Sequence, residues 1–142
     1  MKATINFKLD QDGQKDAVSE TFKGIFHIED VIDQDVKDER VVIGTIYKLT
    51  YSDGGVKTNL LIDDKNQTVI SDSVNRLVFK KGQKDTVAYN TPAGIIDLCL
   101  DTKCLEIRHD EEEKKLTVHI TYDLIQGDTV IDNNMWFSIM YE

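Results

Sequence analysis

The chain has 142 residues, 40% hydrophobic and 30% charged, with one proline and eight glycines. That is the make-up of one globular domain; it excludes wholesale disorder, a collagen-like chain and a Pro-rich linker. Seventeen bases against 26 acids give a net charge of −9, the reverse of the basic surface a duplex nucleic-acid binder presents, so neither nucleic acid nor an anionic membrane is an expected partner.

In chain order the pattern is strand alternation broken by short turns. Residues 3–9 put Ala3, Ile5, Phe7 and Leu9 on one face and Thr4, Asn6 and Lys8 on the other, and Asp10-Gln11-Asp12-Gly13 reads as a turn. A second strand is expected over about 16–28. Val18, Phe22, Phe26 and Ile28 share a parity that Ile25 breaks beside Gly24, which predicts a bulge or a bend. Residues 29–40 are polar and acidic, with Val31, Ile32 and Val36 spaced for a weak helical turn. They read as an inserted loop or short helix.

Strand character returns at 41–51, where Tyr47, Leu49 and Tyr51 share a face. Ser52-Asp53-Gly54-Gly55 is the clearest hairpin turn, and 56–62 is its partner strand. Short strands follow at 67–71, 74–80 and 85–91, separated by Lys81-Gly82-Gln83-Lys84 and ended by Thr91-Pro92-Ala93-Gly94, where the sole proline cannot join a ladder. Residues 95–101 and 104–109 read as two further strands. After the charged turn 110–115, Leu116, Val118, Ile120, Tyr122 and Leu124 alternate without a slip. In the last strand Met135, Phe137, Ile139 and Tyr141 oppose Trp136, Ser138 and Met140.

About ten sequential strands with one buried face each would leave long edges if the sheet stayed open. The expected fold is therefore all-β: a closed or nearly closed antiparallel up-and-down barrel of about 8–10 strands, favoured over a sandwich, in one domain over 1–142. No apolar run is long enough for a secretory signal or a membrane span, so the expected compartment is the cytoplasm, where Cys99 and Cys104 stay reduced.

The second half carries a resemblance. Thr86-Val87-Ala88-Tyr89-Asn90-Thr91-Pro92-Ala93-Gly94 comes before an alternating strand. The run from Asp110 through Val118 leads into Ile120-Thr121-Tyr122-Asp123-Leu124, and the chain closes Asn134-Met135-Trp136-Phe137-Ser138-Ile139-Met140-Tyr141-Glu142. This resembles the YwiB-like family of small bacterial proteins of unknown function. Gly24 and the Gly55-Val56-Lys57-Thr58 strand start fit as well. The resemblance implies a calycin-like (lipocalin-like) barrel and brings no activity with it. The chain departs from the family in its longer link at 29–40.

No nucleophile elbow, phosphate loop or zinc-ligand spacing is present, and the three histidines follow no ligand pattern. The expectation is a protein that is not an enzyme and needs no cofactor and no metal. A barrel can enclose a small ligand. The candidate ligand-binding residues are Arg76, the member of the Lys80/Lys81/Lys84 basic cluster that alternates with apolar neighbours, and the amphipathic Tyr47, Tyr89, Tyr122 and Tyr141. Tyr51 has the same chemistry. Residues 10–40 and 99–142 each hold ten acids and four bases, whereas 52–98 is neutral, so an anionic headgroup would meet the middle of the chain. The expected partner is a small apolar or amphipathic ligand inside the barrel, with 29–40 as a lid over its mouth. The alternative is a filled-core interaction module, with Trp136 exposed to a protein partner or a second copy.

Overall fold

The computed structural model describes residues 1–33 and 40–142. Among them the chain forms ten strands: β1 (Lys2–Gln11), β2 (Val18–Ile32), β3 (Val42–Asp53), β4 (Val56–Asp63), β5 (Thr68–Asp72), β6 (Arg76–Lys80), β7 (Lys84–Thr91), β8 (Gly94–Asp110), β9 (Lys115–Gln126) and β10 (Thr129–Tyr141). All ladders are antiparallel, in the order β6-β5-β4-β3-β2-β1-β10-β9-β8-β7. β1 closes on β10 from Ala3–Tyr141 to Gln11–Asn133.

The ladder between β6 and β7 is missing from this circuit, and the turn joining them spans the gap. Gly82 N donates to Thr102 O at 2.9 Å and Thr102 N donates to Gln83 O at 3.1 Å. Farther along the seam, Asn90 N donates to Asn75 Oδ1 at 2.8 Å. The result is the nearly closed up-and-down barrel that the alternation predicts, with its polar backbone paired almost all the way round. The β3–β4 hairpin turns at Gly54 (φ 56°) and Gly55 (φ 84°). Two successive left-handed residues make the turn whose twist matches that of the flanking strands.

Three expectations are corrected. β2 runs through Gly24 without a slip: Gly24 pairs with Tyr51 and Ile25 with Thr50, and the register shifts only between Val31 and Ile32. Ile25 is simply an outward apolar residue. β2 also extends to Ile32, so 29–32 is strand rather than loop or short helix; residues 34–39, the rest of that expected lid, lie outside the described residues. Lastly, 95–101 and 104–109 form one strand, β8, whose register shifts between Thr102 and Cys104. The polar Asp101-Thr102-Lys103 interruption is a bulge that re-aims one side chain, not a strand end.

The inward parity of every strand builds the core. Ile5, Phe26, Leu60, Phe79, Leu116 and Ile139 are fully buried and come from six different strands. Both cysteines are free thiols, Cys99 half-buried and Cys104 exposed. Inside the wall at the bulge, the Thr102 hydroxyl is buried and has no hydrogen-bond partner among the described residues. A buried hydroxyl without a partner costs desolvation energy and returns nothing. Thr102→Val keeps the shape and removes that cost, so it is expected to raise unfolding stability by about 1 kcal/mol, read by urea denaturation.

Candidate functional site

The barrel brings the sequence-predicted residues to three separate places. Tyr47 and Tyr141 meet at one end of the interior. Phe26 lies between them, with ring centroids 6.1 Å from Tyr47 and 5.0 Å from Tyr141. His109 stands edge-on to Tyr47 at 5.3 Å, and its Nε2 is 2.6 Å from the Tyr141 hydroxyl. Burial pushes the Tyr47 phenol above its ordinary range, helped by Asp64, Tyr141, Glu111 and Asp30. Burial also raises Tyr141, with Glu111 and Asp110 adding to it. Both hydroxyls therefore stay protonated at neutral pH and act as hydrogen-bonding groups. The four rings pack against one another at this end of the barrel, Phe26 parallel to Tyr47 and the other pairs tilted or edge-on.

Tyr122 lies elsewhere in the interior, edge-on to Phe79 at 4.9 Å. Burial, then the neighbouring Tyr89, pushes its pKa up to about 12. Tyr89 is half-buried against the same core. Arg76 is on the outside of the wall, where it lines a concavity of about 410 Å³ with His27, Lys48 and Asp72. Tyr51, inward on β3, stacks on Phe22 at 4.9 Å.

The outer wall of β8–β10 carries the acids. Asp101, Asp123 and Asp132 face one another across these strands, since Asp101 pairs with Asp123 and Asp123 with Asp132. Lys103, the bulge residue, sets its ammonium 2.8 Å from Asp101 and 3.8 Å from Asp123. The hydrogen-bonded Asp132 carboxyl, then burial, raises Asp123 above the usual carboxylate range in spite of Lys103. A carboxyl whose folded pKa is raised favours the fold while protonated, and that contribution is lost as pH rises through the folded value. Asp132→Asn removes the repulsion. It is expected to stabilise the protein at pH 7 by a fraction of a kcal/mol, the usual size of a cross-strand like-charge pair. The gain should shrink towards pH 4, as thermal unfolding at the two pH values will show.

Trp136 is outward, as its parity predicts, but it is half-covered rather than exposed. It stacks on His119 at 4.7 Å and 4°, and Lys8 Nζ lies 5.0 Å from its ring centre.

A further concavity was not anticipated from the sequence. It is a groove of about 650 Å³ on the outside of β10, β1, β2, β3 and β4, lined by Lys2, Thr4, Lys23, Ile25, Thr50, Ser52, Lys57, Met140 and Glu142. Ala3, Gly24 and Tyr51 also reach it, although all three belong to the inward parity. Ala3 and Gly24 pair directly across β1 and β2. This is the smallest inward pair on that ladder, and the wall is thin there. A Cβ built on Gly24 would lie 2.5 Å from Thr50 O and 3.1 Å from Tyr51 Cβ. The glycine thus lets β3 approach more closely than any side chain permits. The visible signal was the lone Gly24 beside an off-parity Ile25, but what it does depends on which residues lie across the ladder.

Comparison with known proteins gives the fold and the family. The crystal structure of the ywiB protein from Bacillus subtilis superposes with a TM-score of 0.64 at 15% identity, over 99% of this chain and 90% of that one. At that identity the likeness speaks for the barrel alone. No curated protein matches the chain. A family profile described as a domain of unknown function, DUF1934, matches residues 3–136. With nearly the whole barrel inside that match, the chain belongs to the DUF1934 family.

Proposed function

We propose that the protein is a non-catalytic binding module of the cytoplasm that works through the outer wall of a filled barrel. One observation carries this reading. The inward side chains of six strands meet as fully buried residues, while a ligand-sized concavity lies outside them, on β10 and β1–β4. Its volume falls within the range of small-molecule sites, and it combines apolar and polar lining. Two of the three histidines support the non-catalytic part. His109 and His119 are engaged in ring contacts and hydrogen bonds with Tyr141, Trp136 and Asn134, so neither is set against a nucleophile.

A second reading keeps a small apolar or amphipathic cargo inside the barrel, oriented by Tyr122 and Tyr89. The unpartnered Thr102 hydroxyl favours it, because Thr102 pairs across the ladder with Tyr122. Native mass spectrometry of protein isolated from its own host separates the two. The outer-wall reading expects the bare polypeptide mass under gentle activation, since an open groove does not trap its ligand. An added mass that persists until the protein is denatured would overturn it in favour of the interior cargo.

A further inference from the structure

We infer that the outer groove over the Ala3–Gly24 pair is a binding site for a small amphipathic anion, with an acidic head and an apolar body; this rests on the outer-wall reading above. The first support is the placement of charge. In a chain of net charge −9, the outward positions that line the groove supply three ammonium groups, Lys2, Lys23 and Lys57, against one carboxylate, Glu142. None of the three lysines has a carboxylate within ion-pair distance among the described residues. Lys23 Nζ donates to Thr4 Oγ1 at 2.7 Å, which holds it over the groove.

The second support is the apolar surface between these charges. Ile25 is 49% exposed and Met140 47% exposed, both beside the lysines on the same wall. Apolar side chains left open next to unpaired ammonium groups match a ligand that has both characters. The Ser52 hydroxyl, also in the lining, supplies a neutral donor to the same head.

The third support is the shape. A barrel wall is ordinarily convex on its outside, and here it is hollow where the inward pair is smallest. The site is therefore a consequence of sequence at Ala3 and Gly24 and not of loop placement, and it exists before any ligand arrives. The concavity is of small-molecule size, so the occupant is a free amphiphile in solution.

The test is a titration of the ¹⁵N-labelled full chain with octyl phosphate below its micelle concentration, followed by amide shifts. Saturable shifts at Thr4, Lys23–Ile25, Thr50–Ser52 and Lys57 are the expected result. Octyltrimethylammonium, with the same tail and opposite charge, should leave these amides in place, and inorganic phosphate should bind at least about tenfold more weakly. Lys23→Gln with Lys57→Gln should weaken octyl phosphate by about tenfold or more. Lys8→Gln with Lys80→Gln, which removes the same charge outside the groove, should not. Equal binding of the cationic amphiphile, equal binding of inorganic phosphate, or equal loss in both lysine pairs would each overturn the proposal. Absence of shifts at the groove would overturn it while leaving the binding-module reading intact. Shifts confined to inward residues such as Tyr89 and Tyr122 would overturn both.

Discussion

Gly24→Val is expected to lower unfolding stability by about 3 kcal/mol or more, and the melting temperature by roughly 10 °C. The sign is not obvious from propensity, because valine is the better strand residue by up to about 1 kcal/mol. Packing decides it. The new Cβ would meet a backbone oxygen, Thr50 O at 2.5 Å, which cannot rotate away, and also Tyr51 Cβ at 3.1 Å and Ile5 Cδ1 at 3.2 Å. β2 and β3 would have to separate at the end of their ladder, where Gly24 pairs with Tyr51, and the outer groove would lose its floor. Gly24→Ala tests the same contact with less bulk and should cost less, with the same sign. A variant with unchanged thermal unfolding would show that the two strands are not in close contact here.

Phe79→Ala is expected to cost about 3–5 kcal/mol. Phe79 is fully buried on the short strand β6, pairs across the ladder with Val69, and presents its ring to the edge of Tyr122 at 4.9 Å. β6 is an edge of the hydrogen-bonded sheet, so side-chain packing and the β6–β7 turn hold it against the rest of the barrel. Removing the ring takes away both the burial and the aromatic contact. The lost volume also has a consequence that separates the two functional readings. If the barrel is filled, the substitution makes an apolar void where the parent has none, and that void should take up a small apolar probe.

The elements legible in the sequence are those whose alternation is uninterrupted. The run from Leu116 to Leu124, and Met135 through Tyr141, were placed residue for residue, because a one-residue slip would turn every apolar side chain to water. The long elements β2 and β8 were misjudged where polarity rose within a strand. At 29–32 the acidic residues sit on a strand that continues past the core, and at Asp101-Thr102-Lys103 a bulge imitates an ending. Closure was legible as a way to remove edges, but the position of the seam was not. β6 and β7 are joined by a tight turn, and only the three-dimensional course shows that this turn hydrogen-bonds to Thr102 on β8 instead of forming a ladder.

The site residues were harder for a physical reason. Parity says whether a side chain points in or out; it does not say which neighbours it meets. Tyr47 and Tyr141, 94 positions apart in number, share Phe26 and His109, whereas Arg76 meets none of the four tyrosines chosen with it. The sequence pattern singles out Arg76 with Lys80, Lys81 and Lys84 as the basic cluster; it does not single out Lys2, Lys23 and Lys57 in a chain of net charge −9. The acids that make the chain −9 lie largely in turns and on the opposite wall, but β1–β4 still carry five bases against six acids, so a count by segment does not mark the lysines. Only the register, which sets Lys2 against Ile25 and Lys57 against Ser52, gathers them over one hollow.

The measurement that bears most directly on a filled barrel with its binding surface outside is a crystal structure of the parent under xenon pressure, with Phe79→Ala as the control. Xenon occupies dry apolar cavities without needing any specific chemistry. A filled barrel holds no xenon among Ile5, Leu60, Phe79 and Ile139 in the parent, and a bound atom is expected beside Tyr122 in the variant. Xenon inside the parent barrel would contradict it and move the binding site from the wall to the interior.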